Sequence, residues 1–130
     1  MILIINNNSQ NNIYLALAEG EKIMAEKNFA SDNFHRDNLL KLADQLLKSR
    51  QKKAKDIKAI IVNLGPGSYT GLRTAMLLAN TWAYVNKIPL YGFLDKDFKK
   101  QKILSAIKKI KGKVFLEPHY GAPPKITKPK

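Results

Sequence analysis

The chain has 130 residues, of which 45% are hydrophobic, 25% charged and none Cys, and 23 Lys and Arg stand against 10 Asp and Glu for a formal charge of +13. This is the length of one domain that can keep an ordinary core without disulfides or structural zinc, and the lack of Cys excludes a disulfide framework, a thiolate nucleophile and a Cys-ligated metal. The apolar run Ile2 to Ile5 is too short for a signal peptide and no span approaches the roughly 20 apolar residues that cross a bilayer, so a soluble cytoplasmic protein is expected.

Ile2 to Asn6 and Ile13 to Ala18 are short β-prone runs separated by a polar, turn-rich linker of Asn, Ser and Gln, and Glu19-Gly20 turns the chain into a third run, Lys22 to Phe29. Three consecutive strands with short loops predict an antiparallel meander. From His35 the period changes: Leu39, Leu42, Ala43, Leu46 and Leu47 recur at helical spacing, with Ser31 or Asp32 as N-cap and an end near Ser49. Ala59 to Val62 is fully apolar, the pattern of a central strand covered on both faces. A second helix is expected from about Thr70 to Asn86, followed by a strand over Ile88 to Phe93 with Pro89 near its start. Strand, helix and strand in this order predict a crossover with parallel strands. A third helix is expected over Asp95 to Lys109 with Phe98, Ile103, Ile107 and Ile110 on one side, then a last strand over Lys113 to Leu116 and an extended tail from Pro118 to Lys130.

The basicity is regional. One block holds Lys48, Arg50, Lys52, Lys53, Lys55 and Lys58 with only Asp56 against them, and a second runs from Lys96 to Lys130 with eleven Lys against Asp97 and Glu117. Such density attracts a polyanion by counterion release. Arg is scarce, three in all, and neither block interleaves aromatics, so a solvated lysine-rich face is the favoured reading and direct RNA binding is not implied.

Gly65-Pro66-Gly67-Ser68-Tyr69-Thr70-Gly71-Leu72-Arg73 lies between a buried strand and a helix, where free backbone N–H groups and the helix dipole can hold an anion. Gly65, Gly67, Ser68 and Thr70 are the candidates for such a degenerate phosphate loop. The loop lacks the Gly-Lys-Ser/Thr of a Walker A motif, the three-glycine dinucleotide spacing and the G-x-S-x-G nucleophile elbow. The simpler reading is a tight strand-to-helix turn capped by Ser68 or Thr70.

The stretch Asn63 to Arg73 closely resembles the GPGSFTGLR motif of the TsaB (YeaZ) family of tRNA threonylcarbamoyladenosine biosynthesis proteins. The Ile-Leu-Ile-Ile opening, His35 before a Leu-rich helix, and Ile88-Pro89-Leu90-Tyr91-Gly92 fit the family in the same order. The segment Leu116 to Pro124 looks like the family's terminal P-x-Y-x-R-x-P, with Ala122 where Arg is usual.

The resemblance implies an α/β fold, a single RNase H-like or actin-like ATPase lobe. Its sheet is expected to be mixed and five-stranded, three strands antiparallel and then parallel ones, with helices. Residues 1–113 would form the lobe and 114–130 a last short strand and tail, most of the second domain being absent. Asn6 stands where relatives of this fold carry an Asp for metal and phosphates, and Leu39 stands where the catalytic TsaD proteins have the second His of a His-x-x-x-His pair, the first matching His35. Neither a metal nor a cofactor is therefore expected, nor a catalytic constellation, and His35 reads as structural.

The second helix is apolar nearly all round. Leu72, Ala75, Met76, Ala79, Trp82 and Ala83 fall on one side, and Leu77, Leu78, Tyr84 and Val85 on much of the other. One face can cover the sheet, and the other needs a further apolar surface. The small residues Ala75, Ala79 and Ala83 around Trp82 suit close helix approach, and with Leu39, Leu42 and Leu46 of the first helix they are read here as the partner interface. The resemblance supplies the partner: a TsaD-like enzyme, bound as a heterodimer through the first two helices, with a TsaE-like ATPase joining and tRNA contacted indirectly or through the Lys blocks. A homodimer is expected when the partner is absent. The function implied is a non-catalytic subunit in forming threonylcarbamoyladenosine next to the anticodon. The alternatives are a weak nucleotide-binding protein using the 65–71 loop and a basic tRNA-binding module.

Overall fold

The computed structural model describes residues 1–7 and 12–117. Three strands open the chain, β1 (Ile2–Asn6), β2 (Asn12–Glu19) and β3 (Lys22–Ala30). Helices α1 (Asn33–Asp37) and α2 (Leu39–Ser49) follow, then β4 (Ala59–Asn63), α3 (Tyr69–Asn86), β5 (Leu90–Phe93) and α4 (Lys100–Ala106). The described strands form one mixed sheet in the order β3-β2-β1-β4-β5, antiparallel through the meander and parallel where β1 meets β4 and β4 meets β5. This is the α/β single lobe expected from the sequence.

Alternation along the strands sorts the core into two layers. Leu3, Ile5, Leu15, Leu17, Ile60 and Val62 face α2 and α3, whereas Ile4, Ala16, Ala18 and Ile61 face Ile103 and Leu104 of α4. β4 is buried along its whole length, as its unbroken apolar run predicts. Between β2 and β3 the register shifts at Leu17/Ala18, so that Leu17 pairs Ala25 and Ala18 pairs Ile23, leaving Met24 as an extra residue. The Arg50 guanidinium, at the end of α2, donates to the Met24 carbonyl at this bulge.

Three expectations need correction. The first helix is broken in two at Asn38, whose backbone at φ −115° and ψ 25° leaves helical values while its side-chain amide and its own N–H both donate to the Phe34 carbonyl, at 2.7 and 3.1 Å. Asp32 caps its first piece by accepting the His35 N–H at 2.8 Å. The third helix is shorter than Asp95 to Lys109: a 3₁₀ turn at Asp95–Asp97 precedes α4, and Ile110 stays exposed instead of joining Phe98, Ile103 and Ile107. The expected last strand reduces to a single antiparallel bridge between Leu90 and Lys113, beyond which Leu116 turns into the core. The extended tail from Pro118 lies outside the described residues.

Candidate functional site

β1 and β4 run side by side and end at Asn6 and Asn63, and the chain beyond β5 brings Asp95 to the same place. The buried Asn63 amide donates to Asn6 Oδ1 at 3.1 Å and to Asp95 Oδ1 at 3.0 Å, while its own Oδ1 accepts the Gly65 N–H at 2.8 Å. The Asp95 N–H closes the ring on the Gly65 carbonyl at 2.8 Å. Gly65 has φ of 94°, which suits glycine, and the turn it makes is thereby fixed from both sides. In open α/β sheets ligands sit outside such carboxyl ends of strands. Asn63 and Asp95 are missed by sequence reasoning, since they lie 32 residues apart and neither belongs to a motif with the other.

Ser68 caps α3 by accepting the Gly71 N–H at 3.3 Å, as one of the two expected caps. Gly71 is pressed against the end of β1: a Cβ there would lie 2.1 Å from the Asn7 carbonyl oxygen. Asn7 is buried, and among the described residues neither its Nδ2 nor its Oδ1 has a hydrogen-bond partner. Gly65, Gly67, Ser68 and Thr70 therefore lie on the turn and first residues of α3, close to the buried Asn7 amide.

His35 is held between the rings of Phe29 and Phe34, at centroid distances of 5.6 and 5.4 Å, with its Nδ1 2.8 Å from the Asp32 carboxylate. Hydrogen bonding from the His35 backbone N–H is the main cause that holds the Asp32 carboxyl below its ordinary range. No group of three or more His, Asp or Glu that could hold a metal occurs among the described residues. Nor, among the same residues, is any helix long and apolar enough to cross a membrane.

The two faces of α3 are placed opposite to the expectation, except that Leu78, read with Leu77, Tyr84 and Val85, packs partly buried against the core. Leu72, Ala75 and Ala79 are 0% exposed, and Met76, Trp82 and Ala83 are buried with them against the sheet and α2. Leu39, Leu42 and Leu46 are likewise inside this core. The residues read as a partner interface are thus covered by the chain itself, because Ala75, Ala79 and Ala83 let α3 lie close on its own sheet. The surplus apolar surface is real, but it is the outer stripe: Leu77 is 71% exposed, Tyr84 79% and Val85 68%. Phe34 of α1 and Leu40 of α2 are also exposed, at 65% and 59%, and Leu40 lines one groove with Leu77. Between these helices runs an open groove of ≈ 920 Å³ lined by Leu40, Tyr69, Arg73, Leu77 and Thr81 among others. At its mouth the Arg73 guanidinium sits 5.4 Å from the Tyr69 ring centroid.

Comparison with known proteins points to one family. Residues 24–93 match the model of the family described as TsaD, tRNA N6-adenosine threonylcarbamoyltransferase. Uncharacterized proteins of Mycobacterium tuberculosis and Mycobacterium bovis are 31% identical over 78 residues, 60% of this chain and 35% of theirs. Among solved structures, YeaZ from Pseudomonas aeruginosa shares the fold with a TM-score of 0.66 at 21% identity, over 74% of this chain and 44% of its own. A second structure, of an uncharacterized protein with similarity to peptidase YEAZ from the same organism, matches to the same extent. The chain thus spans about a third of the length of the curated relatives it matches, and less than half of YeaZ.

Proposed function

Since the chain belongs to the TsaD/YeaZ family, we propose that it works as a non-catalytic subunit that docks on a TsaD-like enzyme and supports formation of threonylcarbamoyladenosine in tRNA. The observation that carries this reading is the exposed apolar surface of Tyr69, Leu77, Tyr84 and Val85 on α3, with Leu40 of α2 lining one groove beside Tyr69 and Leu77. Contiguous exposed apolar surface of this kind marks association, and its aromatic members are the residue types that anchor interfaces. Helices α1 to α3 would meet the corresponding helices of the enzyme. The chain's contribution is then to hold the enzyme in an active conformation, with a TsaE-like ATPase joining the pair. The test is reconstitution: the TsaD-like and TsaE-like proteins of the same organism are assayed for threonylcarbamoyladenosine in tRNA with and without this chain. Formation that depends on the chain, and is lost with Leu77→Arg, is expected. Full activity without it would overturn the reading.

A second reading, nucleotide binding at the 65–71 loop, is favoured by Asn7, whose buried amide, beside the capped end of α3, lacks a partner among the described residues. Calorimetry with Mg-ATP tests it. Heat of binding that disappears in Gly67→Asp supports it, and no heat in the native chain removes it.

A further inference from the structure

We infer that the end of the sheet remote from the 63–71 loop is a binding surface for the phosphate backbone of a double-stranded nucleic acid. The two lysine blocks are separate in sequence, and the topology brings them together. β1, β4 and β5 are parallel, with Ile2 beside Ala59 and Ile60 beside Leu90, so all three begin at this end. The Lys58 N–H donates to the Met1 carbonyl at 2.8 Å, and Leu90 and Lys113 exchange both main-chain hydrogen bonds, at 2.9 and 2.7 Å. Lys87 occupies the left-handed turn between α3 and β5. Lys58 directly precedes β4, Lys87 lies three residues before β5, and Lys113 is bridged to Leu90 at the start of β5; with neighbouring strands about 4.8 Å apart, the row spans on the order of 10 Å.

Lys52 and Lys55 join the row from the linker before β4, and Lys111 from the segment that returns from α4. That α4 ends here follows from the Lys108 ammonium, 2.8 Å from Glu21 in the β2–β3 turn. All six of these lysines are exposed, and none forms a salt bridge with a carboxylate among the described residues. Lys48, Lys100, Lys102 and Lys108, by contrast, are each paired with an Asp or Glu. Of the acidic groups at this end, Glu21 is engaged by Lys108 and Glu19 lies near the Met1 amino group at 3.9 Å, while Asp56 accepts the Lys53 N–H at 2.8 Å and its charge offsets part of the field of Lys52, Lys55 and Lys58.

The chemistry favours a backbone over a single phosphate. The cations are spread along an edge instead of converging on one point, and repeated phosphates can meet them one by one. Lysine ammoniums on flexible stems contact phosphates without reading bases, and the guanidinium of Arg50 is committed to Met24. This surface adjoins the C-terminal end of α3, and its test by nucleic-acid binding is independent of the docking reading.

The experiment is fluorescence anisotropy of the full chain with a short blunt RNA duplex and a DNA duplex of the same sequence, across about 50 to 200 mM salt. Three proteins are compared: native, Lys58→Gln/Lys87→Gln/Lys113→Gln, and a control with the same charge loss elsewhere, Lys27→Gln/Lys96→Gln/Lys99→Gln. Binding of the native chain should weaken steeply with salt. The first triple variant should lose about tenfold or more in affinity and flatten the logarithmic salt slope by about 2–3, while the control changes by less than about twofold. If the first variant melts early, Lys52→Gln/Lys55→Gln takes its place with a slope change of about 1–2. Preference between the duplexes identifies the source of the phosphates. No binding of either duplex, equal losses in both variants, or binding only to phosphatidylserine vesicles would overturn the inference.

Discussion

Asn80 holds Leu116 by both of its main-chain groups: the Asn80 Oδ1 accepts the Leu116 N–H at 2.8 Å, and the Asn80 Nδ2 donates to the Leu116 carbonyl at 2.9 Å. One amide on α3 thereby fastens the segment after the Lys113 bridge and seats the buried Leu116 side chain in the main core. Removing it leaves two partly buried main-chain groups to find other partners. Asn80→Ala should destabilise the chain by about 1–3 kcal/mol and raise hydrogen exchange at the Leu116 amide. An unchanged exchange rate there would mean that the segment is held by Leu116 packing alone.

Gly71→Ala tests the contact between the 65–71 loop and the end of β1. In a helix, replacing Gly by Ala ordinarily favours folding by up to about 1 kcal/mol. Here the added Cβ would lie 2.1 Å from the Asn7 carbonyl oxygen, a backbone atom that cannot swing aside. The steric penalty should win, with a net loss of about 1–3 kcal/mol in chemical denaturation. A stabilised Gly71→Ala variant would contradict the described approach of α3 to β1.

Acid should loosen α4 first. Glu21 is held below its ordinary carboxyl value of 4.5, mainly by hydrogen bonding from Lys108 and then from Ser105, and Glu26 is held below it mainly by Lys100 and then by the Tyr14 hydroxyl. Three of these partners belong to α4 or the turn after it. A carboxyl whose folded value is depressed stabilises the native state above its unfolded value, and this contribution is lost as pH falls through the folded value. Tyr14 stays protonated throughout, its phenol pushed well above the ordinary range first by burial and then by Glu26. The denaturation midpoint should therefore fall below about pH 4.5, and Glu26→Gln should flatten that fall. An acid dependence identical in Glu26→Gln would remove this link from the account.

The parts of the fold that depend on local chemistry are legible in the sequence. The Ile-rich β1, the fully apolar β4, the Ser68 cap and the Gly65 turn each follow from a few adjacent residues. What is not legible depends on distant partners. The first helix breaks at Asn38, a position that the Leu spacing does not announce, and Asn63 reaches Asp95 only because β5 lies beside β4. On α3 the apolar surplus is readable, but its orientation is not, since small Ala75 and Ala79 suit close approach to a partner helix and to the chain's own sheet equally well. The structure gives that approach to the sheet and leaves Leu77 and Tyr84 outside.

The central claim is that the outer stripe of α3 binds a TsaD-like enzyme, and isothermal calorimetry of that enzyme against two variants tests it most directly. Leu77→Arg should raise the dissociation constant by about tenfold or more, with the melting temperature unchanged, because the side chain it replaces faces water in the free chain. Ala79→Arg should instead unfold the chain, as it forces a charge into the core. Native affinity in a folded Leu77→Arg variant would contradict the account.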